Sequence, residues 1–248
     1  MTRQATQVEA GNVSNIITVQ NLVKRFGLKI VLRGLDFTVL KGEFVALLGA
    51  NGAGKTTFLR ILASLSKPAT GTIRIANRSL PGEAAAVRQL IGVVSHLPLL
   101  YGDLTAEENL RFYGKMYNIP FPVERITEIL NQVGLAPRRR DLVRTFSRGM
   151  QQRLAIGRAV LHDPEILLLD EPHTGLDQDA CDMLDKALQE VAARGRTVVM
   201  TSHDLSRSAD LASRFDVISR GRIVATAQRS EVGVGQLLAF YRQALLEG

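Results

Sequence analysis

Residues 49 to 57 read Gly-Ala-Asn-Gly-Ala-Gly-Lys-Thr-Thr, and no other stretch constrains the fold as strongly. It lies between an apolar run, Phe44-Val45-Ala46-Leu47-Leu48, and a segment with helical spacing, Thr57-Phe58-Leu59-Arg60-Ile61-Leu62. Strand, glycine loop, lysine and helix in that order turn a G-x-x-x-x-G-K-T match into a phosphate-binding loop. Several backbone N–H groups must converge on phosphate oxygens, and a Cβ in the wrong place would block them, so glycine recurs. The helix that follows aims its positive end, about half a unit charge, at the same anion. Lys55 adds a mobile full charge toward the β- and γ-phosphates, and the Thr56 hydroxyl is able to ligate Mg²⁺. The stretch therefore predicts a nucleoside triphosphate site built from Gly49, Ala50, Asn51, Gly52, Ala53, Gly54, Lys55, Thr56 and Thr57.

A chain of 248 residues, 46% hydrophobic, buries a real core and is near the upper size for one domain. Its one cysteine, Cys181, excludes internal disulfides and suits a reducing compartment. No apolar run approaches the roughly 20 residues that span a bilayer. Residues 1–15 are polar, lack the hydrophobic stretch of a signal peptide, and read as a flexible tail. The net charge of +7 admits nucleic acid or an anionic membrane surface as partners. The basic residues are scattered, however, and the densest run, Arg138-Arg139-Arg140, follows a Gly-Leu-Ala-Pro turn and reads as a solvated loop. No nucleic-acid partner is expected.

The pattern alternates strands and helices. Strands are expected near residues 16–19, 36–39, 44–48, 72–76, 91–94, 166–169, 198–201, 216–219 and 222–227, the last two as a hairpin. Helices are expected near 55–64, 84–90, 106–117, 123–133, 149–161, 179–193, 205–213 and 236–246. The span from about 96 to 161 is predominantly helical and interrupts the alternation, so it reads as a helical subdomain inserted into an α/β core. Ile166-Leu167-Leu168-Leu169 has the unbroken apolarity of a strand covered on both faces. Asp170 and Glu171 follow at its C-terminal end, where open α/β sheets bind ligands. Neighbouring strand residues point to opposite sides, which predicts separate tasks. Asp170 is placed to hold Mg²⁺, and Glu171 to orient or deprotonate an attacking water. Another strand, Val198-Val199-Met200-Thr201, ends in Ser202-His203-Asp204; if these strands run parallel, His203 emerges on the edge that carries Lys55 and Glu171. Ser147 is a good N-cap for the helix after Phe146, and that helix end, with Gly149, is a second anion site.

This order of motifs resembles the nucleotide-binding subunits of ATP-binding cassette (ABC) transporters, from about Ile16 to Arg229. Gly49 to Thr56 is similar to the family's Walker A loop, Ile166 to Asp170 to its Walker B strand, Glu171 to the catalytic glutamate and His203 to the switch histidine. Phe146 to Gln152 is similar to the signature, Gly175-Leu176-Asp177 to the loop joining two monomers' sites, and Phe26 falls where an aromatic ring stacks on adenine. Two departures stand out. Arg148 replaces the first glycine of the signature and Met150 its glutamine, with Ser147 and Gly149 retained. His96 stands where the family usually has glutamine; an imidazole is a poorer partner than an amide oxygen for a hard cation, so His96 is read as a coupling-loop residue and its contact with Mg²⁺ is left open. His96 and Pro98, the Leu104–Tyr113 stretch and Phe146–Leu154 resemble the ATPase of the haem exporter used in cytochrome c maturation. The signature variant also occurs in exporters of drugs, lipids or polysaccharides.

The resemblance implies an α/β fold, a P-loop NTPase core of ABC type with a β-subdomain and the inserted helical subdomain, spanning 16–230, followed by a C-terminal helix over 231–248. It implies an ATPase using ATP and Mg²⁺, with Glu171 and His203 catalytic and with Thr56 and Asp170 at the metal. Phe26, the phosphate loop, Ser147 and Gly149 would hold nucleotide. The implied partners are a second nucleotide-binding subunit, as a homodimer, and a separate transmembrane permease, which places the chain at the cytoplasmic face of the membrane. Leu97-Pro98-Leu99-Leu100-Tyr101 reads either as packing within the helical span or as a wall of the permease groove. ABC-type ATPases of DNA repair or translation, and a non-catalytic ATP-binding module, are the rival classes. The phosphate-loop assignment makes a direct expectation. Hydrogen bonds to charged groups are worth about 1.5–3 kcal/mol, so Lys55→Ala should lower ATP affinity or turnover at least about tenfold with the fold intact. A folded variant with unchanged turnover would remove the assignment.

Overall fold

The computed structural model describes residues 15–95, 97–120 and 122–247. Its centre is a six-stranded sheet in the order β10-β9-β3-β8-β7-β6. The strands are β3 (Phe44–Leu48), β6 (Ile91–Val94), β7 (Ile166–Asp170), β8 (Thr197–Ser202), β9 (Arg214–Ser219) and β10 (Arg222–Gln228). All neighbours are parallel except the β9–β10 hairpin. Every residue of β3, β7 and β8 is buried, as expected for parallel strands covered on both faces. The alternation is visible in where they pack. Val45, Leu47, Leu168 and Val199 face one core, whereas Ala46, Leu48, Leu167, Leu169 and Met200 face the other.

The first core is closed by α1 (Lys55–Leu62) and by a second, antiparallel sheet in the order β2-β1-β4-β5. That sheet comprises β1 (Asn15–Phe26), β2 (Lys29–Leu40), β4 (Thr70–Ile75) and β5 (Arg78–Leu80). Phe37 of β2 meets Phe58 of α1 edge-on, with ring centroids 5.0 Å apart. Arg214 of β9 ties the sheets together, donating to the Glu43 carboxylate, to Asp216 Oδ2 at 2.9 Å and to the Thr38 carbonyl at 2.6 Å. The antiparallel sheet is larger than its sequence pattern predicts. β1 and β2 extend through polar residues such as Lys24 and Arg33 into a hairpin, and β5 is too short to show a periodicity. Asn15 opens β1, and the rest of the expected N-terminal tail, residues 1–14, lies outside the described residues.

The second core is covered by α5 (Arg148–Val160), α6 (Gln178–Ala193), α7 (Leu205–Leu211) and α8 (Arg229–Glu247). The C-terminal helix thus begins at Arg229 rather than 231, with a break at Gly233. A third cluster joins α3 (Ala106–Met116), α4 (Pro122–Gln132) and the outer face of α5; α2 (Ala84–Leu90) leads into β6. Thr105 and Glu108 form a capping box at the start of α3, and the buried Asn109 side chain bonds the 101–105 backbone. Of the basic run, Arg138 pairs with Asp141 and Arg139 with Glu107.

α5 belongs to two cores, and its contact with β6 is close. A Cβ on Gly92 would stand 2.2 Å from the Ala159 carbonyl oxygen, so only glycine lets the helix approach. Arg158 donates to the Val93 carbonyl at 2.6 Å. Just beyond α5, His162 Nε2 donates to the Ile91 carbonyl at 3.1 Å while its ring stacks on Tyr117 at 3.8 Å. Burial holds the His162 imidazole down to about 4, below its ordinary 6.5. The unfolded chain therefore takes up a proton between about pH 6.5 and 4 that the folded chain refuses, and stability falls as pH is lowered through that window. In urea melts across it, His162→Gln should lose stability less steeply than the native chain. Equal slopes would contradict the buried neutral imidazole.

Candidate functional site

The phosphate loop runs from the end of β3 into α1, pressed against β9: a Cβ on Gly49 would stand 2.5 Å from the Ile218 carbonyl oxygen. The Ala53 carbonyl accepts from the Gly221 N–H at 3.0 Å, tying the loop to the β9–β10 turn. Lys55 is 6% exposed, and its Nζ donates to the Gly49 carbonyl at 2.7 Å and lies 3.3 Å from Glu171 Oε1. The other Glu171 oxygen, Oε2, bonds His203 Nδ1. One residue further along, Thr56 Oγ1 donates to Asp170 Oδ1 at 3.0 Å.

These contacts follow from topology. β3, β8 and β7 are adjacent and parallel, so Lys55, His203 and Glu171 leave the sheet at the same edge. The two carboxylates, however, do not point to opposite sides as strand alternation predicts. β7 ends at Asp170, and Glu171 adopts a left-handed φ of 50°, which breaks the pleat. Asp170 and Glu171 consequently meet the consecutive residues Thr56 and Lys55.

A cleft of about 960 Å³ opens above the loop, lined by Ala50, Asn51, Gly52, Gly54, Lys55, Thr56 and Thr57 and closed at one end by Glu171 and His203. Its rim is basic. Lys29, Arg33, Arg220 and Arg222 come from β2 and the β9–β10 turn, and sequence reading did not single them out. Such a rim suits a polyanion. Phe26 is 56% exposed and pairs in register with Lys29 at the mouth of the β1–β2 hairpin, with Lys24 Nζ 4.8 Å from its ring centroid. It stands beside the cleft without lining it. Ala53 is buried beneath the loop.

Ser147 and Gly149 are elsewhere. Ser147 caps α5, its Oγ accepting from the Met150 N–H at 3.2 Å, and neither residue lines the cleft. Arg148 folds over the neighbouring loop, so that a Cβ on Gly175 would stand 2.7 Å from its guanidinium carbon. His96 lies outside the described residues. Sequence reading also passed over Thr201, which sits opposite Asp170 in the β7–β8 ladder and is fully buried. Its hydroxyl carries no motif, and only strand register brings it to the site.

The site's oxygens suit a hard divalent cation. Thr56 Oγ1 and Asp170 Oδ1 lie together, and Asp170 Oδ2 has no hydrogen-bond partner among the described residues. No group of three or more His, Cys, Asp or Glu side chains that could hold a metal occurs among the described residues. Two protein oxygens, completed by water and phosphate, fit the way Mg²⁺ is held.

A family model described as ABC transporter matches residues 32–174. The linearmycin resistance ATP-binding protein LnrL of Bacillus subtilis (strain 168) is 35% identical over 219 residues, covering 88% of this chain and 70% of that protein. The Nod factor export ATP-binding protein I of Burkholderia lata is 39% identical over 211 residues, covering 84% and 69%. Among solved structures, an ATP-binding subunit of an ABC transporter superposes with a TM-score of 0.83 at 29% identity, covering 92% of this chain and 99% of that one. The dimeric post-hydrolysis state of the cassette MJ0796 bound to ADP and Pi gives 0.79 at 27% identity, covering 86% and 98%.

Proposed function

We infer that this chain, which belongs to the ABC transporter family as an ATP-binding, ATP-hydrolysing subunit, drives export across a membrane by closing and opening a dimer around ATP. The observation that carries this reading is the convergence of Lys55, Thr56, Glu171 and His203, from three separate strand ends, on one cleft, with Asp170 bonded to Thr56 behind it. On this reading the chain from residue 16 to the end of β10 forms the ATPase unit, the span from about 96 to 161 its helical insertion, and α8, beginning at Arg229, an appended helix. The triphosphate lies along the loop N–H groups and the positive end of α1. A phosphate oxygen is a stronger partner for the Lys55 ammonium than the Gly49 carbonyl it now meets. Phe26, exposed beside the cleft, is free to stack a base. Mg²⁺ would be held by Thr56 and Asp170, neutralising phosphate charge. Phosphoryl transfer needs chiefly positioning and charge neutralisation. Glu171, with an oxygen on His203, is placed to orient water at the far end of the triphosphate and to accept its proton.

Ser147 and Gly149 point to the dimer. They lie on a capped helix end outside the cleft of their own chain, and a two-fold head-to-tail pair would bring them to the nucleotide of the other copy. The dimeric MJ0796 structures support the pairing of two such cassettes.

The membrane partner is a separate permease, with this chain peripheral on the cytoplasmic face. Among the described residues no helix is long and apolar enough to cross a membrane. Leu97, Leu99, Tyr101, Phe112 and Met116 leave an exposed apolar patch on the helical layer, with Tyr101 and Phe112 edge-on at 5.0 Å. The 97–101 segment thus divides: Leu100 packs into two cores, and its neighbours form the patch. An amphipathic permease helix fits there. As to cargo, the relatives named for linearmycin resistance and Nod factor export favour a drug, lipid or polysaccharide exporter. The haem-exporter reading rests on the sequence of His96 and Pro98, the Leu104–Tyr113 stretch and Phe146–Leu154 alone.

Two experiments test this. Glu171→Gln removes the negative charge but keeps the shape, and loss of a general base costs about 10²–10⁴ in rate. It should bind ATP, hydrolyse little and run as an ATP-dependent dimer in size-exclusion chromatography, whereas Asp170→Asn should weaken the Mg-nucleotide complex itself. Near-normal phosphate release by Glu171→Gln would transfer the leading role to His203. For the patch, Leu99→Asp is tolerable at a φ of 52° and should abolish co-purification with the membrane fraction while basal ATPase survives. Leu100→Asp should unfold the chain, and retention of Leu99→Asp on membranes would remove the docking assignment.

A further inference from the structure

Thr201 is fully buried at the end of β8, directly opposite Asp170. A hydroxyl has one proton and two lone pairs, and this one uses both kinds of capacity on the site. Oγ1 donates to Asp170 Oδ1 at 2.8 Å and accepts from the Glu171 N–H at 3.0 Å. The Thr201 carbonyl takes the same N–H at 3.2 Å, so the bond is shared between two acceptors of one residue. Glu171 is the residue whose left-handed backbone turns its carboxylate out of the pleat and toward Lys55 and His203. A non-glycine residue holds such a φ only where surrounding contacts enforce it. Thr56 and Thr201 both donate to Oδ1 of Asp170, which leaves Oδ2 without a protein donor among the described residues.

We propose that Thr201 is a positioning residue for ATP hydrolysis, its hydroxyl locking the Asp170 carboxylate and the turned backbone of Glu171 into one rigid unit. The proposal rests on the roles of Asp170 and Glu171 given above and adds a dependence of both on one buried oxygen. Plain packing does not require the hydroxyl, because valine has nearly the same shape and suits a buried parallel strand. Removing the hydroxyl leaves the Glu171 N–H with the carbonyl alone and Asp170 Oδ1 with one donor instead of two, so both carboxylates gain freedom near the reacting phosphate.

The test compares Thr201→Val and Thr201→Ser in the full chain, measuring melting temperature, binding of a fluorescent ATP analogue, steady-state phosphate release and the Mg²⁺ dependence of the rate. Thr201→Val should lower kcat about tenfold, as expected for one lost charge-assisted hydrogen bond, with KM for ATP within about twofold. Its rate should also need more Mg²⁺ to reach half-maximum. Thr201→Ser keeps the oxygen and should restore kcat to within about threefold of the native chain. Thr201→Val with native kcat, or a serine variant as impaired as the valine one, overturns the proposal, as does a change confined to melting temperature. If Thr201→Val does not fold, Thr201→Ala against Thr201→Ser makes the same comparison. Glu171→Gln is run beside them: normal hydrolysis by that variant sinks the catalytic reading itself, whereas an inactive Glu171→Gln with a fully active Thr201→Val sinks only the role of Thr201.

Discussion

The parallel hydrogen bonding of β3, β8 and β7 is the constraint on which the rest of the structure depends. These strands are buried along their whole length, and each pairs with its neighbour in a register that ends them at one level. Chain segments more than 100 residues apart in sequence, the phosphate loop and the Asp170–Glu171 turn, thereby emerge side by side. No surface interaction has to bring them together, because the ladder and the two apolar cores already do so. The covalent chain contributes the remaining step at Glu171, where a left-handed residue takes over from the pleat.

Electrostatics within the cleft are balanced locally. Lys55, nearly removed from solvent, has a carboxylate oxygen of Glu171 at 3.3 Å and two loop carbonyls as partners. Glu171 in turn divides its oxygens between that ammonium and His203. A buried charge left without partners would be costly, so the pair holds the site in a compact arrangement that a phosphate group is able to enter by exchange of partners. The basic rim from β2 and the β9–β10 turn extends the attraction outward beyond the loop.

The helical layer communicates with this centre through α5. One side of the helix faces the sheet, where Gly92 allows a close approach, and the other packs on α3 and α4, where Gly157 lies against Ile129. Its first turn carries Ser147, Arg148 and Gly149. Arg148 lies over Gly175, in the loop that leads from Glu171 to α6, and Gly149 comes close to Ala180 at the start of that helix. The Ser147–Gly149 turn and the loop beyond β7 are therefore in direct contact within one chain. Arginine in place of the family's glycine fits here because Gly175 offers it a bare backbone.

Local chemistry made much of this legible in the sequence. The glycine loop between an apolar run and a helix, the unbroken apolarity of Ile166–Leu169, and the cap at Ser147 are short-range signals, and the elements they predict occur where expected. The phosphate loop, Asp170, Glu171 and His203 could be named as site candidates because each is attached to such a signal. What the sequence left undetermined depends on register and long-range contact. β1 and β2 run on through polar residues because cross-strand bonds, not periodicity, hold them. The left-handed Glu171 reverses the side that alternation predicts. Thr201 and the rim residues Lys29, Arg33, Arg220 and Arg222 have no motif and acquire their place only when distant strands align. A local signal is written in neighbouring residues, whereas a hydrogen bond between strands depends on which segments pair and at what offset, and only the folded chain decides that.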